Sequence, residues 1–185
     1  AGSVREYTPL AIDSPYDYDP FWAKCLELKV CPAGHSMPFI GTHQSPRNYI
    51  YNRVGFWMTY GHAACRALFM SGTTQRFPGL NWAFLEGGVW WGVALFNDLV
   101  EIWEKRNMAA QMEYHEPAKI DVALMEEMTR RYGDDAYLSA ARMKAQMEGL
   151  VKSAREADGT VPDFVDDWRD VTIKKAEDIR ALFAE

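Results

Sequence analysis

One carboxylate, Glu86, stands between a short apolar segment and a pair of glycines. Residues 80–85 have the sequence Leu-Asn-Trp-Ala-Phe-Leu, a pattern typical of a strand covered on both faces. Gly87 and Gly88 follow Glu86 and permit a tight turn before a periodic helix begins. Because α/β folds place their catalytic groups at the carboxyl ends of strands, Glu86 is the first candidate catalytic residue. Its alternative role is to accept hydrogen bonds from the N–H groups at the start of that helix.

Two histidines and an arginine lie upstream, around a second apolar segment. His35 ends the run 29–35, which predicts a strand, although the proline inside it argues against full pairing on both sides. A neutral imidazole at a strand end can give one nitrogen to a metal ion, so His35 is a candidate metal ligand. In the long loop 36–48, His43 is a candidate catalytic residue, and the planar fork of Arg47 suits a substrate carboxylate. Either loop residue can instead face water or make a surface contact.

The elements that must position these residues follow the order strand, helix, strand, helix. Asp19 as N-cap and Pro20 behind it predict a helix that precedes the strand ending at His35. Apolar residues at helical spacing predict one helix over 49–70 and another over 89–106, on either side of the strand that leads to the carboxylate.

The character of the chain changes after residue 107. The following segment contains no strand-like run, and its alanines and methionines recur with a 4,3 spacing that predicts a helical insertion. A second helix over 120–128 suggests that the insertion is a hairpin, and Asp163 is the predicted cap of a last helix. The predicted division of the chain is therefore 1–107, 108–162 and 163–185.

The composition bears on partners and location. Of 185 residues, 48% are hydrophobic and 25% are charged, and the net charge is −6. This acidic balance argues against nucleic acid or an acidic membrane surface and favours a small-molecule or protein partner. No apolar run approaches the roughly 20 residues of a membrane-spanning helix, and no signal-peptide pattern is evident. The three cysteines show no metal-type spacing, so we expect buried thiols and a cytoplasmic protein.

Four sequence blocks, taken in order, resemble a known family. They are D-P-F-W-A-K-C-L-E-L at 19–28, which leads to His35, then R-F-P-G-L at 76–80, F-L-E-G-G-V at 84–89 and W-E-K-R-N at 103–107. Their order and spacing resemble the amidohydrolase-related family, the metal-dependent hydrolases and decarboxylases of the amidohydrolase superfamily. The likeness covers most of residues 5–107, with a weaker echo at 175–183.

The resemblance implies an α/β fold, with this chain as a helix-rich segment of a (β/α)8 TIM barrel that carries an α-helical insertion. In such barrels the metal is held at strand ends by histidines and an aspartate. His35 matches the histidine of the fifth strand, and Glu86 stands where many members carry the histidine of the sixth. A carboxylate can still bind a metal through oxygen, so the implied ligands are His35 and Glu86. The implied cofactor is a divalent metal, with Zn²⁺ preferred over Mn²⁺ or Fe.

The resemblance also implies a reaction, and it implies more barrel strands than the sequence contains. The implied activity is hydrolysis or non-oxidative decarboxylation of a small carboxylated or aromatic substrate. Only about two barrel strands are evident, whereas a closed barrel needs eight. The others are expected from a missing part of the chain, from a complementary chain or from a homo-oligomer. The alternative function is a non-catalytic, helix-rich piece that serves protein association through its Trp and Met stripes.

Overall fold

The computed structural model describes residues 10, 12, 14–35, 45–134, 139–156 and 166–184. The chain forms two compact units, one made of Ala1–Glu104 with Trp168–Glu185 and the other of Lys105–Asp167. Helices predominate in the described part, which contains two short strands. The helix-rich character is therefore confirmed. The (β/α)8 barrel and the three-part division of the chain stay predictions.

The helices and strands of the described residues are short, apart from three long helices. In chain order they are α1 (Asp19–Glu27), β1 (Ala33–Gly34), α2 (Tyr49–Arg53), α3 (Phe56–Met70), α4 (Thr73–Arg76), β2 (Ala83–Phe84), α5 (Trp90–Arg106), α6 (Met108–Tyr114), a 3₁₀ turn at Pro117–Lys119, α7 (Val122–Tyr132), α8 (Ala140–Glu156) and α9 (Ala176–Ala184).

The two strands pair in parallel, with Ala33 opposite Ala83. The Ala83 N–H donates to the Pro32 carbonyl and the Leu85 N–H to the Gly34 carbonyl, each at 2.9 Å. Pro32 takes part in this ladder only through its carbonyl, so the N–H that proline lacks is not needed for the pairing. The predicted strands were longer, and β2 was expected to be covered on both faces. That expectation is wrong, because Ala83 and Phe84 are only half-buried and Leu85, the last residue of the predicted strand, is 43% exposed.

Two apolar clusters hold the first unit together, and α3 contributes to both. The larger cluster packs α3, α5 and the carboxyl-terminal segment against each other through Phe69, Trp91, Leu95, Leu99, Trp168, Val171 and Ile179. The smaller cluster packs α1 against α3 and the segment before β2 through Trp22, Cys25, Leu68 and Leu80. Trp22 meets Trp82 edge to face, with ring centroids 4.5 Å apart. The approach to β2 is thereby packed against α1, the helix that precedes β1.

The predicted helix over 49–70 is broken into α2 and α3. Gly55, at the break, has a φ of +76°, a left-handed conformation that ends a regular helix and that glycine adopts without steric cost. Apolar spacing continues through the break, so periodicity alone indicated one helix.

The last helix begins at Ala176, well after the predicted cap, and Asp163 lies outside the described residues. The chain before it is held in an irregular path by Gln75, whose side-chain amide donates to the Thr172 carbonyl at 3.0 Å and accepts from the Thr172 N–H at 2.9 Å. Asp178 then accepts hydrogen bonds from the backbone N–H groups of Lys174 and Lys175, which fixes the start of α9.

The second unit contains the expected helical hairpin, in which α7 packs against α8. Asp121 caps α7 by accepting from the Leu124 N–H at 3.0 Å. Glu126 on α7 pairs with Lys144 on α8 at 2.9 Å. The predicted hairpin is thus confirmed.

The cysteines differ in environment more than expected. All three are free thiols, and Cys25 is buried whereas Cys31 is exposed, so the expectation of three buried thiols is wrong. Burial raises the pKa of the Cys65 thiol to about 11, which keeps it protonated and weakly nucleophilic at neutral pH. None of the described helices is long and apolar enough to cross a membrane.

An ion pair joins the helices that precede the two strands. Arg76, at the end of α4, donates from Nε to Asp19 Oδ2 at 2.7 Å and from Nη2 to Asp19 Oδ1 at 2.9 Å. A third guanidinium bond, to the Ser71 carbonyl at 2.6 Å, fixes the rotamer. Asp19 was predicted as an N-cap, but Tyr18 occupies that position and the carboxylate is used by Arg76 instead. Two of the sequence blocks are therefore in direct contact through this pair.

We predict that Arg76→Lys and Asp19→Asn each lower the free energy of unfolding by about 1 kcal/mol, because the bidentate geometry is lost while both groups are partly exposed. A double-mutant cycle by urea denaturation should give a coupling energy of roughly 0.5–1 kcal/mol. The control is Lys24→Gln, which removes the exposed pair between Lys24 and Glu27 and should change stability little. Strictly additive single-mutant effects would contradict the prediction.

Candidate functional site

His35 and Glu86 come together at one end of the two-stranded sheet. His35 directly follows β1 and Glu86 lies two residues after β2, so both stand at the carboxyl ends of parallel neighbouring strands. The distance from His35 Nε2 to Glu86 Oε1 is 3.4 Å. Both side chains are a little more than half exposed, so the pair is accessible from solvent. Two residues 51 positions apart in the sequence therefore form one polar site.

The backbone at Glu86 is left-handed, with a φ of +64°. A side chain in that region costs about 1–2 kcal/mol relative to an ordinary conformation, and glycine avoids the cost. Gly88 is also left-handed, at +67°, and its carbonyl accepts a 2.9 Å hydrogen bond from the Trp91 indole N–H. The Gly87–Gly88 turn is thus held by α5, and it turns the Glu86 side chain toward His35.

A tyrosine from α3 packs beside the site. A Cβ added to Gly34 would lie 2.2 Å from the Tyr60 hydroxyl, so only glycine leaves room for this ring next to the residue before His35. Burial raises the pKa of the Tyr60 hydroxyl, which remains a hydrogen-bond donor at neutral pH. The sequence offered no signal for Tyr60 beyond its place in a helical pattern, because the close approach depends on how α3 crosses β1.

The geometry of the pair suits two ligands of one metal ion. Donors that each lie about 2.1 Å from a tetrahedral ion are about 3.4 Å apart, and imidazole nitrogen with carboxylate oxygen is a donor set used for Zn²⁺. Among the residues the structure describes, no group of three or more His, Cys, Asp or Glu side chains is arranged to hold a metal. The spacing of His35 and Glu86 therefore fits two ligands of one ion, and a complete site would need ligands beyond this pair.

The remaining candidates are not part of this pair. His43 lies outside the described residues. Arg47 precedes α2, where its backbone N–H donates to the Ser45 hydroxyl at 3.3 Å. Its guanidinium makes no hydrogen bond or ion pair with any described residue. Glu86 likewise accepts no hydrogen bond from a described N–H group at the start of α5, which weakens its alternative role as a helix cap. The roles assigned to Glu86, His43, Arg47 and His35 stay predictions.

Comparisons with protein-family models, with curated proteins and with solved structures give no match. The resemblance to the amidohydrolase-related family therefore stays a prediction that depends on the sequence blocks and on the site geometry.

We predict that Glu86→Gly is more stable than Glu86→Ala by about 0.5–1 kcal/mol, because only alanine keeps the strain of a Cβ at a φ of +64°. The measurement is urea denaturation of the two variants. As a control, Ala94→Gly at an exposed position inside α5 should be less stable than the parent by a similar amount. If Glu86→Ala is the more stable of the two variants at position 86, the strain argument fails.

Proposed function

We propose that this chain contributes a half-site to a metal-dependent enzyme, a hydrolase or non-oxidative decarboxylase that acts on a small carboxylated or aromatic substrate. The observation that carries the proposal is the 3.4 Å approach of His35 Nε2 and Glu86 Oε1 at the carboxyl ends of parallel strands. In barrel enzymes that edge carries the chemistry. The sequence blocks are consistent with the same reaction class.

The residues of the half-site have distinct roles in this proposal. His35 binds the ion through Nε2, and Glu86 either binds beside it or accepts a proton during the reaction. A divalent ion held there supplies a Lewis acid that activates water or holds a substrate carboxylate. His43 assists as a catalytic residue, and Arg47 pairs with a carboxylate of the substrate through its planar fork. The Tyr60 hydroxyl, which packs against Gly34, is a further donor near the end of β1.

Completion of the site requires further strands. Each described strand pairs on one edge only, and no other described strand lies beside either outer edge. Parallel sheets are found almost only with both faces covered, and a two-stranded ribbon is marginally stable by itself. We therefore propose that the other strands and ligands come from a further segment, a complementary chain or a second copy.

Element analysis of protein purified without chelator tests the metal directly. We predict bound Zn²⁺, or Mn²⁺ or Fe in its place, near one ion per site. His35→Asn and Glu86→Gln should each reduce the metal content severalfold, because each removes a ligand. The matched control is His115→Asn, in the other unit, which should leave the metal content unchanged.

A second measurement separates weak binding from none. Zn²⁺ titration followed by NMR should shift the ring resonances of His35, and Glu86→Gln should weaken that binding by about tenfold. The absence of stoichiometric transition metal together with unmoved His35 resonances would refute a metal site in this chain.

An alternative function, protein association without catalysis, is favoured by an exposed apolar surface at the start of α5. Trp90 is 79% exposed and its neighbour Val89 is 70% exposed. Adjacent exposed apolar side chains of this kind often mark a surface that binds another protein. Under this alternative the same surface binds another protein or a second copy, and the half-site has no chemical role.

We predict that Trp90→Ser shifts any self-association toward the mass of one chain, as measured by light scattering across a concentration series. Loss of the indole removes apolar area whose burial stabilises contact by roughly 25 cal/mol per Å². The control is Tyr114→Ser, which removes another exposed aromatic residue, 77% exposed, from the other unit. A wild-type protein that is monomeric throughout the series would contradict self-association through Trp90.

A further inference from the structure

Apolar side chains are exposed along α2 and the first turn of α3, in the first unit. Ile50 is 67% exposed and Val54 is 78% exposed, and the two lie one helical turn apart on the same side of α2. Tyr49 and Met58, also exposed, extend this apolar area. The α2 surface is defined here as Tyr49, Ile50, Arg53, Val54 and Met58.

The other side of α2 is anchored to the chain before it. Asn52, two positions from Ile50 and so on the opposite side of the helix, accepts from the Ser45 N–H and donates to the Ser45 carbonyl, each at 2.8 Å. Asn48 caps the first turn by accepting from the Tyr51 N–H at 2.9 Å. Because these bonds fix α2 in place, its exposed apolar side chains form a defined surface that folding of this unit leaves uncovered.

Arg53 is oriented within the α2 surface by aromatic side chains. Its guanidinium carbon lies 5.0 Å from the ring centroid of Tyr49, 5.5 Å from that of Phe56 and 5.1 Å from that of Trp57. Its Nε donates to the Tyr49 hydroxyl at 2.8 Å. The two terminal nitrogens make no hydrogen bond or ion pair with any described residue. An oriented guanidinium with unused donors suits a planar anion such as a carboxylate.

The charge around the α2 surface is positive, although the chain as a whole is acidic. Residues 28–85 contain five Lys and Arg residues and no Asp or Glu, so the rest of the chain carries a net charge of −11 within the total of −6. An acidic molecule is therefore attracted to the part of the chain that includes α2 and is repelled by the remainder.

The composition of residues 49–58 is that of a protein-binding surface. The segment reads Y-I-Y-N-R-V-G-F-W-M and contains no Lys, Asp, Glu, Ser or Ala. Aromatic residues, Met and Arg are enriched in the buried centres of protein interfaces, and Lys, Glu, Asp, Ser and Ala are depleted there. Tyr, Trp and Arg are also the residues that most often dominate binding energy.

We propose that the α2 surface binds an acidic segment of another protein. A carboxylate of that segment pairs with the Arg53 guanidinium, and apolar side chains beside the carboxylate cover Ile50 and Val54. Lipid and nucleic-acid phosphates are anionic too, but they are bound through clusters of cations, whereas the α2 surface holds one arginine among apolar side chains. The proposal requires no metal and involves neither the half-site nor Trp90.

The test selects short random peptides, displayed on phage, against the intact chain. We expect recovered peptides to combine Asp or Glu with Leu, Ile or Phe. A fluorescent synthetic copy of one such peptide then gives affinities by anisotropy. Arg53→Gln should weaken its binding about tenfold, because the charge-assisted hydrogen bonds are lost, and Arg53→Lys, which keeps the charge without the planar fork, should weaken it less. Val54→Ser should weaken binding about threefold, because apolar contact is lost.

Matched controls separate the α2 surface from general effects of charge and hydrophobicity. Arg66→Gln makes the same change of charge at an exposed position about two turns beyond Met58 on α3, and should change affinity less than about twofold. Leu124→Ser removes an exposed apolar side chain from the other unit and should have no effect. His35→Asn should also leave peptide binding intact, so failure of the metal site and failure of this proposal are distinguishable.

Several outcomes would overturn the proposal. These are recovery of basic or neutral peptides, recovery of no peptide, or a loss of affinity in Arg66→Gln as large as that in Arg53→Gln. Tighter binding to phosphatidylserine vesicles or to a single-stranded DNA oligonucleotide than to the peptide would also contradict it. If circular dichroism shows that Arg53→Gln does not fold, unchanged affinity in Val54→Ser, at a 78% exposed position, decides against the α2 surface.

Discussion

The parallel pairing of β1 with β2 is the constraint on which the candidate site depends. Parallel neighbours require a crossover, and here the chain between Gly34 and Ala83 includes α2, α3 and α4. Each strand is only two residues long, so the few hydrogen bonds of so short a ladder cannot hold the pairing alone. The register is set by what packs around the strands, and the distance between His35 and Glu86 follows from that register.

Both apolar packing and electrostatic interactions hold β1 and β2 in register. Burying Trp22 and Leu68 in the smaller apolar cluster contributes about 1.5–3 kcal/mol each, whereas the partly exposed pair of Arg76 with Asp19 is worth about 1 kcal/mol. Stability therefore comes mainly from the apolar contacts. The ion pair adds direction, because a bidentate fork accepts a narrow range of orientations between α1 and α4. Together they align the two helices that precede the strands.

Local sequence patterns predicted which helices and strands are present better than they predicted where each one begins and ends. The apolar run before Glu86, the glycine turn and α5 were all evident, because they depend on neighbouring residues. The break at Gly55 and the late start of α9 were missed, since a left-handed glycine and the contact of Gln75 with Thr172 depend on tertiary packing that overrides periodicity. The same is true of the site. His35 and Glu86 were predicted as site residues because each follows a predicted strand. The distance between them, and the position of Tyr60, could be known only from the three-dimensional structure.

The conformation of Glu86 distinguishes its two possible roles. A carboxylate kept only to cap α5 would be expected to contact the N–H groups of that helix, yet its contact is with His35. A non-glycine residue at a φ of +64° is also costly where glycines already form the adjacent turn. The cost is consistent with a requirement for the carboxylate itself at that position. Under the proposed function, this pair needs other ligands that face it, and the elements that carry those ligands would join at the outer edges of β1 and β2, which are unpaired among the described strands.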